Sequence, residues 1–179
     1  MNRPRIQAAL TTRHLTIAGV VLAVLMVTVF LTRSGRARAP AFEPTYQLVP
    51  YQSGALSFVY PDWWVLSESP GAVVVTNELG TARVIMISSD AAAALPYGAI
   101  KEALLRDALY EVAEFTLMPG DDPAYWANGS RSEGGRRILF TEIGVEAGDT
   151  QYRIRAEDET GGYAAILASV VESMTIKPE

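Results

Sequence analysis

Residues 15–32, LTIAGVVLAVLMVTVFLT, run for eighteen residues without a charge or a proline. As a helix the run is ~27 Å long at ~1.5 Å per residue, close to the ~30 Å hydrocarbon core of a bilayer. It divides the chain into a basic head (1–14), a span (15–32) and a folded remainder. A cleaved signal peptide has a shorter apolar run, about 7–15 residues, followed by a small-x-small site. Ala37-Arg38-Ala39 offers that pattern, but Pro40 follows it and Arg33, Arg36 and Arg38 crowd it. The segment is therefore expected to stay attached as a signal anchor, with the lipid bilayer as its partner. Arg3, Arg5 and Arg13 precede the span and Arg33, Arg36 and Arg38 follow it, so the count of flanking cations is nearly even. The architecture decides the expected orientation. A short basic tail before one span and a large acidic domain after it puts the tail in the cytoplasm and the domain outside.

Residues 33–50, RSGRARAPAFEPTYQLVP, contain Pro40, Pro44 and Pro50 and no apolar period. They read as a semi-extended tether that reaches up to about 55 Å at ~3.1 Å per residue. From Glu43 onward there are nine basic and twenty acidic residues, a net charge of −11. Such a surface repels phosphate backbones, so nucleic acid is not an expected partner. The chain has no cysteine, which excludes disulfides, thiolate metal sites and thiol nucleophiles. Its one histidine, His14, lies in the head beside the span.

The remainder, 51–179, alternates between strand and helix signals. LSFVY (56–60) has the two-residue period of a strand, Pro61-Asp62 breaks it, and WWVLS (63–67) begins another. AVVVT (72–76) and TARVIMIS (81–88) flank NELG, a hairpin connection. Ile100, Leu104, Ala108, Val112 and Phe115 recur at three- and four-residue steps, which predicts one helix over 97–115. An irregular stretch is expected from Met118 to Gly135. RRILFTEIG (136–144) and TQYRIRAED (150–158) predict a second hairpin, 162–174 a second helix, and TIK a last strand. The class is α+β, an antiparallel sheet with helices packed on it.

LSFVYPDWWVL resembles the opening signature of the PsbP-like family: a strand ending in aromatic-Tyr-Pro, a short turn, then a Trp that begins the next strand. A helix after the fourth strand and the closing ILASVVESMTIK are similar to that family as well. Trp63 stands where the family commonly has Gly. The resemblance spans about residues 52–179 and implies an α/β/α sandwich. Its members include extrinsic photosystem II proteins, nuclear-transport accessory proteins and bacterial envelope proteins, mostly binding or assembly modules. By the same resemblance Trp64 belongs to the core with Phe58 and Tyr60.

Candidate chemistry is sparse. The folded part has neither histidine nor cysteine, and Lys101 and Lys177 lie in no S-x-x-K motif. GDDPAYWANGSRSE (120–133) lacks the alternate acids and closing glutamate of a calcium loop. Glu157-Asp158-Glu159 reads as a solvated strand end, and Asn128-Gly-Ser130 matches a glycosylation sequon. No catalytic residue, metal site or cofactor is expected. The aromatics remain as candidate partner-binding residues. Trp63 either packs under the helices or stands at the surface, and Tyr125 and Trp126 either plug the sheet or contact a partner. The expected function is a membrane-anchored, non-catalytic accessory or assembly domain that docks on a membrane or envelope complex. The alternative is an extracytoplasmic domain that binds a small molecule or metal beside these aromatics. The anchor itself is directly testable: mass spectrometry of the mature protein should find residues 15–32 attached, and a mature start near Pro40 would contradict it.

Overall fold

The computed structural model describes residues 46–118 and 124–177. The expected head, the span at 15–32 and the tether up to residue 45 lie outside the described residues. Among the described residues no helix is long and apolar enough to cross a membrane.

The chain opens with β1 (Leu48–Ser53) and β2 (Leu56–Pro61), and passes to β3 (Val65–Ser69), β4 (Ala72–Thr76) and β5 (Ala82–Asp90). Helix α1 (Tyr97–Arg106) follows, then β6 (Tyr110–Met118), β7 (Ala124–Glu133), β8 (Arg136–Ala147) and β9 (Thr150–Asp158). Helix α2 (Ala164–Glu172) and β10 (Thr175–Ile176) close the fold. Two sheets result. One has the order β1-β2-β10 and the other β3-β4-β5-β9-β8-β7-β6, and all the pairings are antiparallel. Pro50 is tolerated in β1 because that strand is an edge.

The expected continuity from LSFVY into WWVLS is replaced by a change of sheet. Trp63 and Trp64 form the corner itself, with the Trp64 amide donating to the Pro61 carbonyl at 3.0 Å, and β3 begins only at Val65. Trp64 is 4% exposed and packs in one core with Phe58, Val75, Val84, Leu167 and Val170. This core fills the space between the large sheet on one side and α2 with the small sheet on the other. Trp64 therefore closes the seam at which the chain leaves one layer for the next.

Two expectations about the middle of the chain are corrected. The predicted helix over 97–115 stops at Arg106, and 110–118 is strand β6. Asp107 makes the break: its carboxylate accepts from the Leu109 amide at 2.9 Å and its carbonyl from the Tyr110 amide at 2.9 Å. That local turn outcompetes another helical turn. The predicted irregular stretch to Gly135 contains β7, which pairs with β6 and β8 along its length. Gly134 and Gly135, both at positive φ, make the two-residue turn into β8. The NELG hairpin is as expected: Asn77 is buried and its side-chain oxygen accepts from the Thr81 and Ala82 amides.

Helix α1 packs on the opposite face of the large sheet, where Tyr97, Ile100 and Leu104 meet Tyr125, Ala127 and Phe140. This second core is smaller and lies over β6, β7 and β8 only. Trp64→Ala should lower unfolding free energy by about 3–5 kcal/mol, the usual cost of a buried aromatic, and Trp63→Ala by less. Chemical denaturation measures both, and equal large losses would contradict the unequal burial of the pair.

Candidate functional site

Chemistry collects on the α1 face of the large sheet, beside the part that no described element covers. On the α1 side, cross-strand neighbours form three rows: Val65–Thr76–Arg83–Glu157, Val74–Ile85–Arg155–Glu142, and Ala72–Ile87–Arg153–Gly144. Each row is apolar or neutral toward β3 and charged toward β9. Six of the nine basic residues after Glu43 lie on β5, β7, β8 and β9.

Glu142 is the deepest member. Its side chain is 2% exposed, and its carboxylate accepts from Arg153 Nη2 at 2.9 Å, Arg155 Nε at 2.5 Å and the Tyr125 hydroxyl. Arg155 also donates to the Tyr110 hydroxyl at 2.6 Å and lies over the rings of Tyr110 and Phe140. Gly144 makes this possible, since a Cβ there would fall 1.9 Å from the Tyr125 ring. Burial pushes the Glu142 carboxyl up, but the charges of Arg155 and Arg153 and the Tyr125 hydroxyl outweigh it and hold the group below the ordinary glutamate value. Burial, together with the Glu142 charge, keeps Tyr125 protonated.

Glu157 repeats the arrangement one row along. It is buried and accepts from Arg83 Nε at 2.6 Å and Arg131 Nε at 2.8 Å, and its carboxyl is held low by those partners against the opposing effect of burial. Beyond it a charged groove of about 190 Å³ opens at the strand ends, with Arg83, Glu133, Arg136 and Glu159 along its sides. These side chains pair with one another: Arg136 with Glu159 at 3.1 Å, and Arg83 with Glu133 at 3.8 Å. Asp158 faces the other way, its carboxylate accepting from the Thr160, Gly161 and Tyr163 amides at the entry to α2.

The structure does not bring the three candidate aromatics together. Tyr125 and Trp126 lie in β7, not in a loop, and both are buried. As strand neighbours they point to opposite faces, Tyr125 under α1 and Trp126 into the core beneath α2. Trp63 is half-buried at the corner, 5.8 Å from the Trp64 ring and 6.2 Å from that of Tyr163. The sequon residue Asn128 is fully buried in β7. What sequence reasoning missed is the arginine–glutamate ladder. Its signal was present as the alternation Arg153-x-Arg155-x-Glu157, which puts three charges on one face of a strand.

No protein-family model matches the chain, and no curated protein matches its sequence. Among solved structures, cyanobacterial PsbP (CyanoP) from Synechocystis matches with a TM-score of 0.53 and 14% identity, covering 80% of this chain and 100% of that one. The domain has a PsbP-like fold. LpqN, involved in cell envelope biogenesis of Mycobacterium tuberculosis, aligns at a TM-score of 0.49 and 15% identity, covering 80% of this chain and 100% of that one. On the PsbP-like fold of this chain, the ladder runs along the border between the half of the face under α1 and the half that no described element covers.

The two depressed carboxyl groups set an acid limit to stability. A folded value below the unfolded one gives stabilisation that is complete above the ordinary 4.5 and is lost as pH falls through the folded values. Urea midpoints should therefore drop on acidification below about pH 4.5. Glu142→Gln should start about 2–4 kcal/mol lower at neutral pH, because it leaves the largely buried Arg155 and the partly exposed Arg153 without their carboxylate, and show a shallower acid limb. Identical acid limbs would contradict the assignment.

Proposed function

We propose that the chain is a membrane-anchored, non-catalytic accessory domain that docks on a membrane or envelope protein complex. The observation that carries this reading is the half-covered sheet. One face of the large sheet is closed by α2 and the small sheet, whereas α1 closes only the β6–β8 half of the other. Val65 is 55% exposed and Ile87 41% exposed on the remaining half. Apolar side chains on a flat sheet face, rimmed by charge, are the composition of a contact surface. The uncharged run at 15–32 and the Pro-containing segment after it support an anchored domain outside the cytoplasm. The PsbP-like fold agrees with an accessory role by analogy of architecture.

The aromatic ligand-binding alternative loses its support, because Trp63, Tyr125 and Trp126 line no common space. The docking reading predicts a contribution from the anchor. A tether that confines the domain near the bilayer raises its effective concentration there, to the millimolar range for short flexible links. Affinity purification from detergent-solubilised native membranes should therefore retain a partner on the full-length protein more strongly than residues 45–179 do on addition to the same membranes. Equal retention would remove the anchor from recognition. Retention of a small molecule and no protein would replace the docking reading.

A further inference from the structure

The open half of the sheet has a definite chemical polarity. Val65, Val74, Ile85 and Ile87 form its apolar strip; Arg153 borders it opposite Ile87 on β9, and Arg83 borders it two residues before Ile85 on β5. The side chains of Arg83 and Arg153 are about a third exposed, at 33% and 30%, whereas Glu157 and Glu142, which pair with them, are 3% and 2% exposed. At Arg153 the negative charge is thus inside and the positive charge outside, whereas Arg83 also faces the exposed Glu133 at 3.8 Å. Each of these arginines also keeps a donor in reserve. Arg83 donates from Nε, with Nη2 only within ion-pair reach of Glu133 at 3.8 Å, and Arg153 donates from Nε and Nη2, while Nη1 of each has no hydrogen-bond partner among the described residues.

We infer that the open face receives a protein segment presenting carboxylates next to aliphatic side chains. This rests on the docking reading and names the partner's chemistry. A guanidinium fixed on one edge by a buried carboxylate is already oriented, so its outward N–H groups meet a second carboxylate with little further ordering. The neighbouring strip takes the aliphatic side chains of the same segment. The remaining possibilities fit the charges less well. The chain from Glu43 onward carries −11 overall, so an anionic bilayer repels it, and so does a second copy of the same domain. A small arginine-bordered patch in an acidic domain selects a local acidic element and rejects broad anionic surfaces.

The test uses the full-length protein in nanodiscs with labelled isoleucine methyl groups. The probe is a short synthetic peptide of alternating Glu and Val, compared with its Gln-for-Glu counterpart. The Glu peptide should shift the Ile85 and Ile87 methyl signals, and the Gln peptide should bind at least about tenfold more weakly. Two substitutions at an exposed position outside the ladder keep the test independent of folding. Ile87→Glu and Ile87→Lys remove the same apolar contact, and the Glu variant should weaken binding of the acidic peptide about tenfold more than the Lys variant. Equal binding of the two peptides, equal losses in the two variants, or no shift with either peptide would overturn the proposal. So would shifts that need only higher protein concentration, which mean a second copy, or shifts with phosphatidylglycerol vesicles alone, which mean the bilayer. If these peptide results fail while membrane purification still retains a partner, docking stands and this partner chemistry falls.

Discussion

A carboxylate buried under two guanidiniums organises the large sheet. Glu142 lies directly opposite Arg155 in the β8–β9 ladder, with Arg153 opposite Gly144 one step along the same face. Slipping either strand by one residue would turn these side chains to the other face, into the core formed by Ile143, Ile154 and Trp126. A buried charge without its partners costs several kcal/mol. The pair therefore penalises the one-residue slips of β8 against β9. Gly144 completes the arrangement, since only its missing side chain lets the Tyr125 ring reach the carboxylate.

The ladder also accounts for why this face is only half covered. Helix α1 sits over Tyr125, Ala127 and Phe140, where the face is apolar, and stops short of β9, where it is charged. A longer helix across the arginines would have to desolvate them. The chain instead turns at Asp107 and returns as β6, adding an edge strand to the sheet. The strip on β3, β4 and β5 is left beside the arginines with nothing of the described chain over it. Fold and proposed docking surface thus have one origin, a polar ladder that α1 cannot cover.

Much of the architecture was legible in the residues. The class, the antiparallel pairing, the two hairpins (about NELG and between 136–144 and 150–158) and the closing helix follow from period and turn chemistry, and the core role of Trp64 follows from the PsbP-like resemblance. The stretch from Leu105 to Glu133 was not. Ala108, Val112 and Phe115 continue the three- and four-residue steps of α1 by coincidence, and the local turn at Asp107 decides against them. AYWANGSRSE reads as a loop because Asn, Gly and Ser are turn formers. It is a strand because β6 and β8 pair with both of its edges, and Gly129 admits the close approach of the Glu111 carbonyl. The candidate site was misplaced for the same reason: once AYW is a strand, Tyr125 and Trp126 must separate to opposite faces. The arginines were visible as residues, but that they share a face with Glu142 depends on pairing between strands, which no local pattern encodes.

The central claim is that no described element covers one half of one face of the large sheet, while the rest of the sheet is closed. Hydroxyl-radical footprinting of the full-length protein in its native membrane, followed by mass spectrometry, measures this residue by residue. Tyr125, Trp126 and Phe140 carry rings that react readily with the radical when solvent reaches them. The account predicts that they stay protected, that Ile87 and Val65 are oxidised in the free protein, and that both become protected when the partner complex is intact. Oxidation of Tyr125 and Trp126 together with protection of Ile87 in the free protein would contradict it.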